Sequence, residues 1–181
     1  ANLLYGSRGG NQLDLIDPCT CEVTPVGSYN GFGGVFGITS DAGQELVGLA
    51  TNEDMLFSID TDTGQGTEIG DLGLDFFTTG ATWSDELEGV YAIHSGNDKL
   101  YLVDPVTGAA TDPVDLNYNF GNVGIEVHPA NGVIYACSNA KDLLTVNPVN
   151  GQVTVVGPME LVGGACTNLA APWTSVPCIE P

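Results

Sequence analysis

Positive charge is almost missing from this chain. Three cations, Arg8, Lys99 and Lys141, stand against 23 acids, for a formal net charge of −20. Such a surface repels polyanions, which excludes DNA and RNA as partners. No apolar run approaches the ~18 residues that a membrane-spanning helix needs. No Asn-x-Ser/Thr sequon occurs, so N-glycosylation is not encoded. Gly-x-Ser-x-Gly and phosphate-cradling glycine loops are missing too. With only two histidines, His94 and His128, enzyme chemistry has few starting points. Charged residues of both signs make up 14% and apolar residues 43%, a balance that favours a packed core over disorder.

Five cysteines suit an oxidising compartment, with up to two disulfides and one thiol left over. The chain opens on Ala1 without Met or a basic leader, as a mature secreted product does. The expectation is a secreted or surface-exposed protein. Cys19-Thr20-Cys21 has no second Cys/His pair at zinc-ligand spacing, which argues against zinc.

What the sequence does have is a repeat. "LDLIDPCTCEVTPVG" (13–27), "LFSIDTDTGQGTEIG" (56–70), "LYLVDPVTGAATDPV" (100–114) and "LLTVNPVNGQVTVVG" (143–157) align on Asp17, Asp60, Asp104 and Asn147, spaced 43, 44 and 43 residues apart. A glycine followed by Ile or Ala falls at Gly37, Gly80, Gly124 and Gly164, spaced 43, 44 and 40. The apolar stretches "LLYG", "ELVG", "GVYA" and "VIYA" precede each Asp/Asn anchor. Three landmarks in fixed order, four times, mark a propeller-type array.

Each unit reads as four short strands. Around residues 123–157 they are "VGIEV", "VIYAC", "LLTVN" and "QVTVVG", linked by the turn sequences "HPANG", "SNAKD" and "PVNG". Asp-Pro-x-Thr-Gly is itself a turn: Asp or Asn caps it, Pro presets φ and Gly accepts φ > 0. A calcium loop is the competing reading at Asp60 and Asp62, but a third acidic ligand and a distal Glu are lacking.

The expected fold is all-β, a four-bladed propeller of four-stranded antiparallel blades in one domain, residues 1–171. The repeats cover about 2–45, 46–89, 90–133 and 134–171, and a tail follows at 172–181. The chain starts on a second strand and ends on a first. Closure therefore requires residues 163–170 to pair with residues 3–7, in a 1+3 blade that removes the open edge. That places Cys178 near the third-to-fourth strand turn of the first unit. A Cys21–Cys178 latch is expected, with Cys19–Cys178 as the alternative and a strained Cys19–Cys21 bridge as a competitor.

The repeat "LYLVDPVTGAAT" and its three counterparts resemble secreted bacterial and archaeal propellers of the YVTN type, whose motif has the form "LYxIDPxTGxxTxVG", and a related group of unknown function. The resemblance covers residues 2–171. It implies an extracellular or surface-layer propeller without assigned catalysis. Four blades is fewer than that family commonly has, so one chain forms a ring alone or two share a larger one.

Candidate site residues divide between two faces. On one lie the fourth-to-first connections, with Tyr29, Asn30, Phe32, Asp75, Phe76, Phe77, Tyr118 and Phe120, and the second-to-third turns, with Arg8, Lys99 and Lys141. The Asp-Pro-x-Thr-Gly turns lie on the opposite, acidic face. Three readings follow: the rings plug the channel, the aromatic face docks head-to-tail on the acidic face of another copy, or the rings form a platform for a glycan or peptide. Glu126 stands where other units carry Thr39, Thr82 and Cys166, on an innermost strand, as an ion ligand or acid without a second carboxylate. The expected function is a non-catalytic structural or interaction module, self-assembling into a filament or layer. A carbohydrate- or peptide-binding module is the alternative, and a hydrolase or lyase comes third. No cofactor is expected apart from calcium at the weak candidates Asp60, Asp62 and Glu126.

Overall fold

The computed structural model describes residues 4–171 and Cys178, apart from Asp41, Ala42, Gln44, Thr78, Leu87 and Val162. The rest of the expected tail lies outside the described residues. The protein is all-β, a four-bladed β-propeller. Blade 1 holds β1 (Leu4–Arg8), β2 (Gln12–Ile16) and β3 (Val23–Ser28). Blade 2 holds β4 (Val35–Ser40), β5 (Leu46–Ala50), β6 (Met55–Ile59) and β7 (Gly66–Asp71). Blade 3 holds β8 (Thr79–Ser84), β9 (Gly89–His94), β10 (Lys99–Val103) and β11 (Ala110–Asp115). Blade 4 holds β12 (Val123–Val127), β13 (Ile134–Ser138), β14 (Asp142–Val146) and β15 (Val153–Pro158). Every ladder is antiparallel between sequence neighbours. The register shifts between the third and fourth strands at the same place in all four blades, at Leu13/Asp14, Leu56/Phe57, Leu100/Leu102 and Leu143/Leu144. A repeated bulge of this kind adds twist to each outer strand.

Alternation along the strands sends side chains to both sides of each blade, so apolar clusters form between blades. Leu13, Tyr29, Leu46, Phe57 and Ile59 fill the seam between blades 1 and 2. Val47, Leu56, Trp83, Ala92 and Tyr101 fill the next, and Ile93, Leu100, Ile125, Ala136 and Leu144 the third. Backbone bonds cross the same seams: Gly66 N–H to Tyr29 O at 3.2 Å, Ala110 N–H to Leu72 O at 3.0 Å and Asn117 N–H to Gly151 O at 3.3 Å.

Closure differs from the expected ladder. Residues 163–171 fill the innermost place of blade 1 without strand pairing to β1 among the described residues. Their position follows from the inner strands: a Cβ built on Gly37 would meet Ala81 N at 2.6 Å, one on Gly80 would meet Ile125 N at 3.0 Å, and one on Gly124 would meet Asn168 Cα at 2.5 Å. Asn168 therefore continues the series that Ala81 and Ile125 begin. Gly164, the landmark with the short 40-residue spacing, lies too early for this place. Two disulfides hold the segment. Cys166 bonds to Cys137 in β13, and Cys178 bonds to Cys19 in the β2–β3 turn.

The expected Cys21–Cys178 latch is thus corrected to Cys19–Cys178, and Cys21 is a free, exposed thiol. The turn geometry gives the reason. Cys19 holds the outward tip of its turn, the place of Asp62, Val106 and Val149. Cys21, at φ 59°, holds the left-handed position filled by Gly64, Gly108 and Gly151 in the other blades.

Candidate functional site

The turns at the ends of β2, β6, β10 and β14 form one face, and their construction is the same four times. Asp17 Oδ1 accepts the N–H of Cys19 and Thr20 at 2.8 and 3.1 Å. Asp60 Oδ1 accepts Asp62 and Thr63, both at 2.9 Å. Asp104 Oδ1 accepts Val106 and Thr107 at 2.8 and 2.9 Å, and Asn147 Oδ1 accepts Val149 and Asn150 at 2.9 and 3.2 Å. These N–H donors, led by Cys19, Thr63 and Thr107 respectively, hold the carboxyls of Asp17, Asp60 and Asp104 below the usual aspartate value. The motif is therefore occupied with its own backbone. Asp60 spends one oxygen on that turn, and no group of three or more His, Cys, Asp or Glu among the described residues is placed to hold a metal ion.

Capping the turn from within leaves the tip residue free to point outward. Val106 is 80% exposed and Val149 is 87% exposed. On the flank of blade 4, Val155 and Val156 in β15 are also exposed. Beside them a groove of about 480 Å³ is lined by Val133, Thr145, Val149 and Thr154, among others of that blade. Nothing in the local sequence marks these valines as exposed; the fold puts Val106 and Val149 at equivalent turn tips of adjacent blades.

The opposite face is built by interlocking connections. Tyr29 N–H bonds to Asn11 O at 3.2 Å, Leu72 N–H to Asp54 O at 2.8 Å, Leu116 N–H to Asp98 O at 2.9 Å and Met159 N–H to Lys141 O at 2.8 Å. Asp54 and Asp98 also accept Phe76 and Phe120 N–H on Oδ1, at 2.8 and 3.1 Å. Those bonds turn the rings inward. Tyr29, Phe76 and Phe120 are buried, and half-buried Phe32 stacks on Phe57 with centroids 4.4 Å apart. Half-buried Tyr118 bonds through its hydroxyl to Ser138 Oγ at 2.9 Å. Of the six rings expected on this face, Phe77 is the exposed one, while Asn30 and Asp75 are exposed polar neighbours.

The cations are partnered within the chain. Arg8 Nε meets Asp14 Oδ2 at 2.7 Å, Lys99 Nζ meets Asp115 Oδ1 at 2.8 Å, and Lys141 Nζ donates to Leu161 O at 3.4 Å. Bonding to Asp115 holds the Lys99 ammonium above the usual lysine value. The histidines have structural duties as well. His94 is buried against Phe76, its Nε2 2.9 Å from Asp75 O, and His128 Nδ1 accepts the Ala130 N–H at 3.2 Å.

Glu126 belongs to a different series. Thr39 Oγ1 accepts Trp83 N–H at 2.9 Å, and Thr82 Oγ1 accepts Val127 N–H at 2.7 Å. Glu126 accepts the N–H of Ala171, and the Thr82 hydroxyl donates to it at 3.4 Å. Thr39 and Thr82 each bind the inner strand of the following blade, and Glu126 binds the segment that holds the corresponding place. Burial pushes the Glu126 carboxyl up to about 7, against the two hydrogen bonds, which pull it down. Cys166, expected at the corresponding place of the next unit, is instead the partner of Cys137.

Fold and site together define a β-propeller protein whose connection face is tied into its own core. No protein-family model matches the sequence, and no curated protein sequence does. Among solved structures, similar propellers include virginiamycin B lyase from Staphylococcus aureus, 14% identical with a TM-score of 0.58, over 86% of this chain and 52% of that one. A chain of a nidogen/laminin complex is 12% identical with a TM-score of 0.65, over 92% and 64%. An auxiliary nutrient binding protein from Bacteroides ovatus is 13% identical with a TM-score of 0.62, over 91% and 40%. The chain thus spans about half the length of these structures, and at such identities the likeness is one of fold.

Proposed function

We propose that the protein is a non-catalytic, extracellular interaction module that binds protein partners, further copies of itself among them, through the face of Asp-capped turns. The observation that carries this reading is the pair of outward valines: Val106 and Val149 are 80% and 87% exposed on adjacent blades. Large apolar tips on rigid, self-capped turns offer ready contact area at little cost in ordering. Supporting it, both histidines and Glu126 are engaged in the protein's own hydrogen bonds, and two disulfides suit an extracellular setting. A platform for glycans loses Tyr29, Phe76 and Phe120 to the interior. Docking driven by cations of the connection face loses Arg8 and Lys99 to ion pairs within the chain.

Sedimentation velocity over a range of concentrations tests the reading with the chain itself as partner. Wild-type protein is expected to associate, and the Val106→Asp/Val149→Asp double variant to remain monomeric with an unchanged melting temperature. Equal association of both forms would refute the valine face. Catalytic turnover lost in Glu126→Gln would refute the non-catalytic part.

A further inference from the structure

Both disulfides fasten the same stretch of chain: Cys166 to blade 4 through Cys137, and Cys178 to blade 1 through Cys19. The chain beyond blade 4 is thus strapped at two points, to the last blade by Cys166 and to the first by Cys178. Two residues beyond Cys19, on the same turn, stands the free and exposed thiol of Cys21. The turn holds both cysteines in place, since Asp17 Oδ1 takes the Cys19 N–H at 2.8 Å and Asp17 O takes the Cys21 N–H at 2.9 Å. Residues two apart have Cα atoms at most roughly 7.5 Å from one another. Cys178 Cα lies 5.5 Å from Cys19 Cα, so the disulfide and the free thiol meet at one turn.

We infer that Cys21 is an exchange thiol, and that the C-terminal strap has two interchangeable anchors on one turn. The Cys21 thiolate attacks Sγ of Cys178. A Cys21–Cys178 bond forms as the Cys19–Cys178 bond breaks, and Cys19 departs as a thiolate that takes up the proton Cys21 gave up. One disulfide and one thiol are present before and after, so the step consumes no oxidant or reductant. Exchange moves the anchor from the outward tip of the turn to its left-handed position. The tip thiol of Cys19 is then free on the face that presents Val106 and Val149.

The test uses protein purified without reductant, held at about pH 8, a condition under which thiol–disulfide exchange runs readily. Samples taken over hours are quenched in acid, labelled at free thiols and digested with pepsin at low pH. The label is expected to spread from Cys21 to Cys19, peptides joined by Cys21–Cys178 to appear, and the rate to be independent of protein concentration. Blocking Cys21 with iodoacetamide beforehand should stop the spread. Label confined to Cys21 throughout, or a rate proportional to concentration, overturns the inference. In Cys19→Ser the Cys21–Cys178 bond should form. A folded Cys19→Ser protein, with native circular dichroism but two free thiols, overturns it equally.

Discussion

Glu126 accepts the backbone N–H of Ala171, as Thr82 accepts that of Val127 one blade earlier. A carboxylate has replaced a hydroxyl where the chain's last described stretch seats against β12. The replacement gives the seat a pH dependence that the threonines lack. Burial raises the carboxyl from an ordinary 4.5 to about 7, so folding favours the protonated form. Its contribution is complete below 4.5, declines as pH rises and is gone above about 7. Denaturant unfolding of wild type should show a loss on the order of 3 kcal/mol between these limits. Glu126→Gln should flatten that part of the profile and be the more stable form above about pH 7, as the cost of burying the charge disappears.

The Asp-capped turns carry the opposite sign. Asp17, Asp60 and Asp104 sit below the usual 3.8, so their contribution is present above that value and is lost as pH falls through the lowered ones. With Glu126 declining above 4.5, stability should peak between 3.8 and 4.5 rather than at neutrality. A melting-temperature series from pH 2 to about pH 9 checks both limbs.

Asn147 shows that the cap needs an acceptor oxygen more than a charge, since its amide holds the same two N–H groups as the aspartates. Asp104→Asn should therefore be nearly silent at neutral pH. Asp104→Ala should lower the urea midpoint, since it removes the acceptor of the Val106 and Thr107 N–H groups. Urea midpoints of the two variants, compared with wild type, decide between acceptor and charge.

The two disulfides close loops of very different length, with sequence separations of 159 and 29. Chain entropy assigns about 5 kcal/mol to the longer and about 3.6 kcal/mol to the shorter. Cys178→Ser should thus destabilise more than the Cys137→Ser/Cys166→Ser pair, since it removes the partner of Cys19 and of Cys21 alike. Calorimetry of the variants measures the order.

Self-association has to overcome a net charge of −20. Association through Val106 and Val149 should strengthen with added salt, as the Debye length falls from ~10 Å at 0.1 M to ~3 Å at 1 M. Light scattering across that range should show mass rising with ionic strength, whereas contacts made by ion pairs would weaken.

The repeat made the blades legible because its signal is local. Asp17, Asp60, Asp104 and Asn147 each define a turn with residues no more than a few positions away, and alternation then fixes the strands. The unread parts depend on contacts between distant segments. Nothing in "DLGLDFFTTG" tells an inward Phe76 from an outward Phe77; the Asp54 carboxylate, 22 positions earlier, makes the difference by taking the Phe76 N–H. The Cys137–Cys166 bond went unpredicted for a related reason. Aligning Gly164 with Gly124 sets the last segment out of step and puts Cys166 in Glu126's place instead of against β13. Choosing Cys21 over Cys19 came from counting positions without the turn's handedness, which gives the tip to Cys19.

Contact between Gly64 and the backbone of Gly27 has a consequence for how such a chain can change length. A Cβ on Gly64 would lie 2.6 Å from the Gly27 carbonyl carbon, and Gly108 presses on Gly70 in the same manner. Each module is thus keyed to its predecessor at a fixed stride, like a tooth in a rack. Slipping by a single residue unseats the key, whereas gaining or losing one whole module of 43 or 44 residues leaves every remaining key engaged.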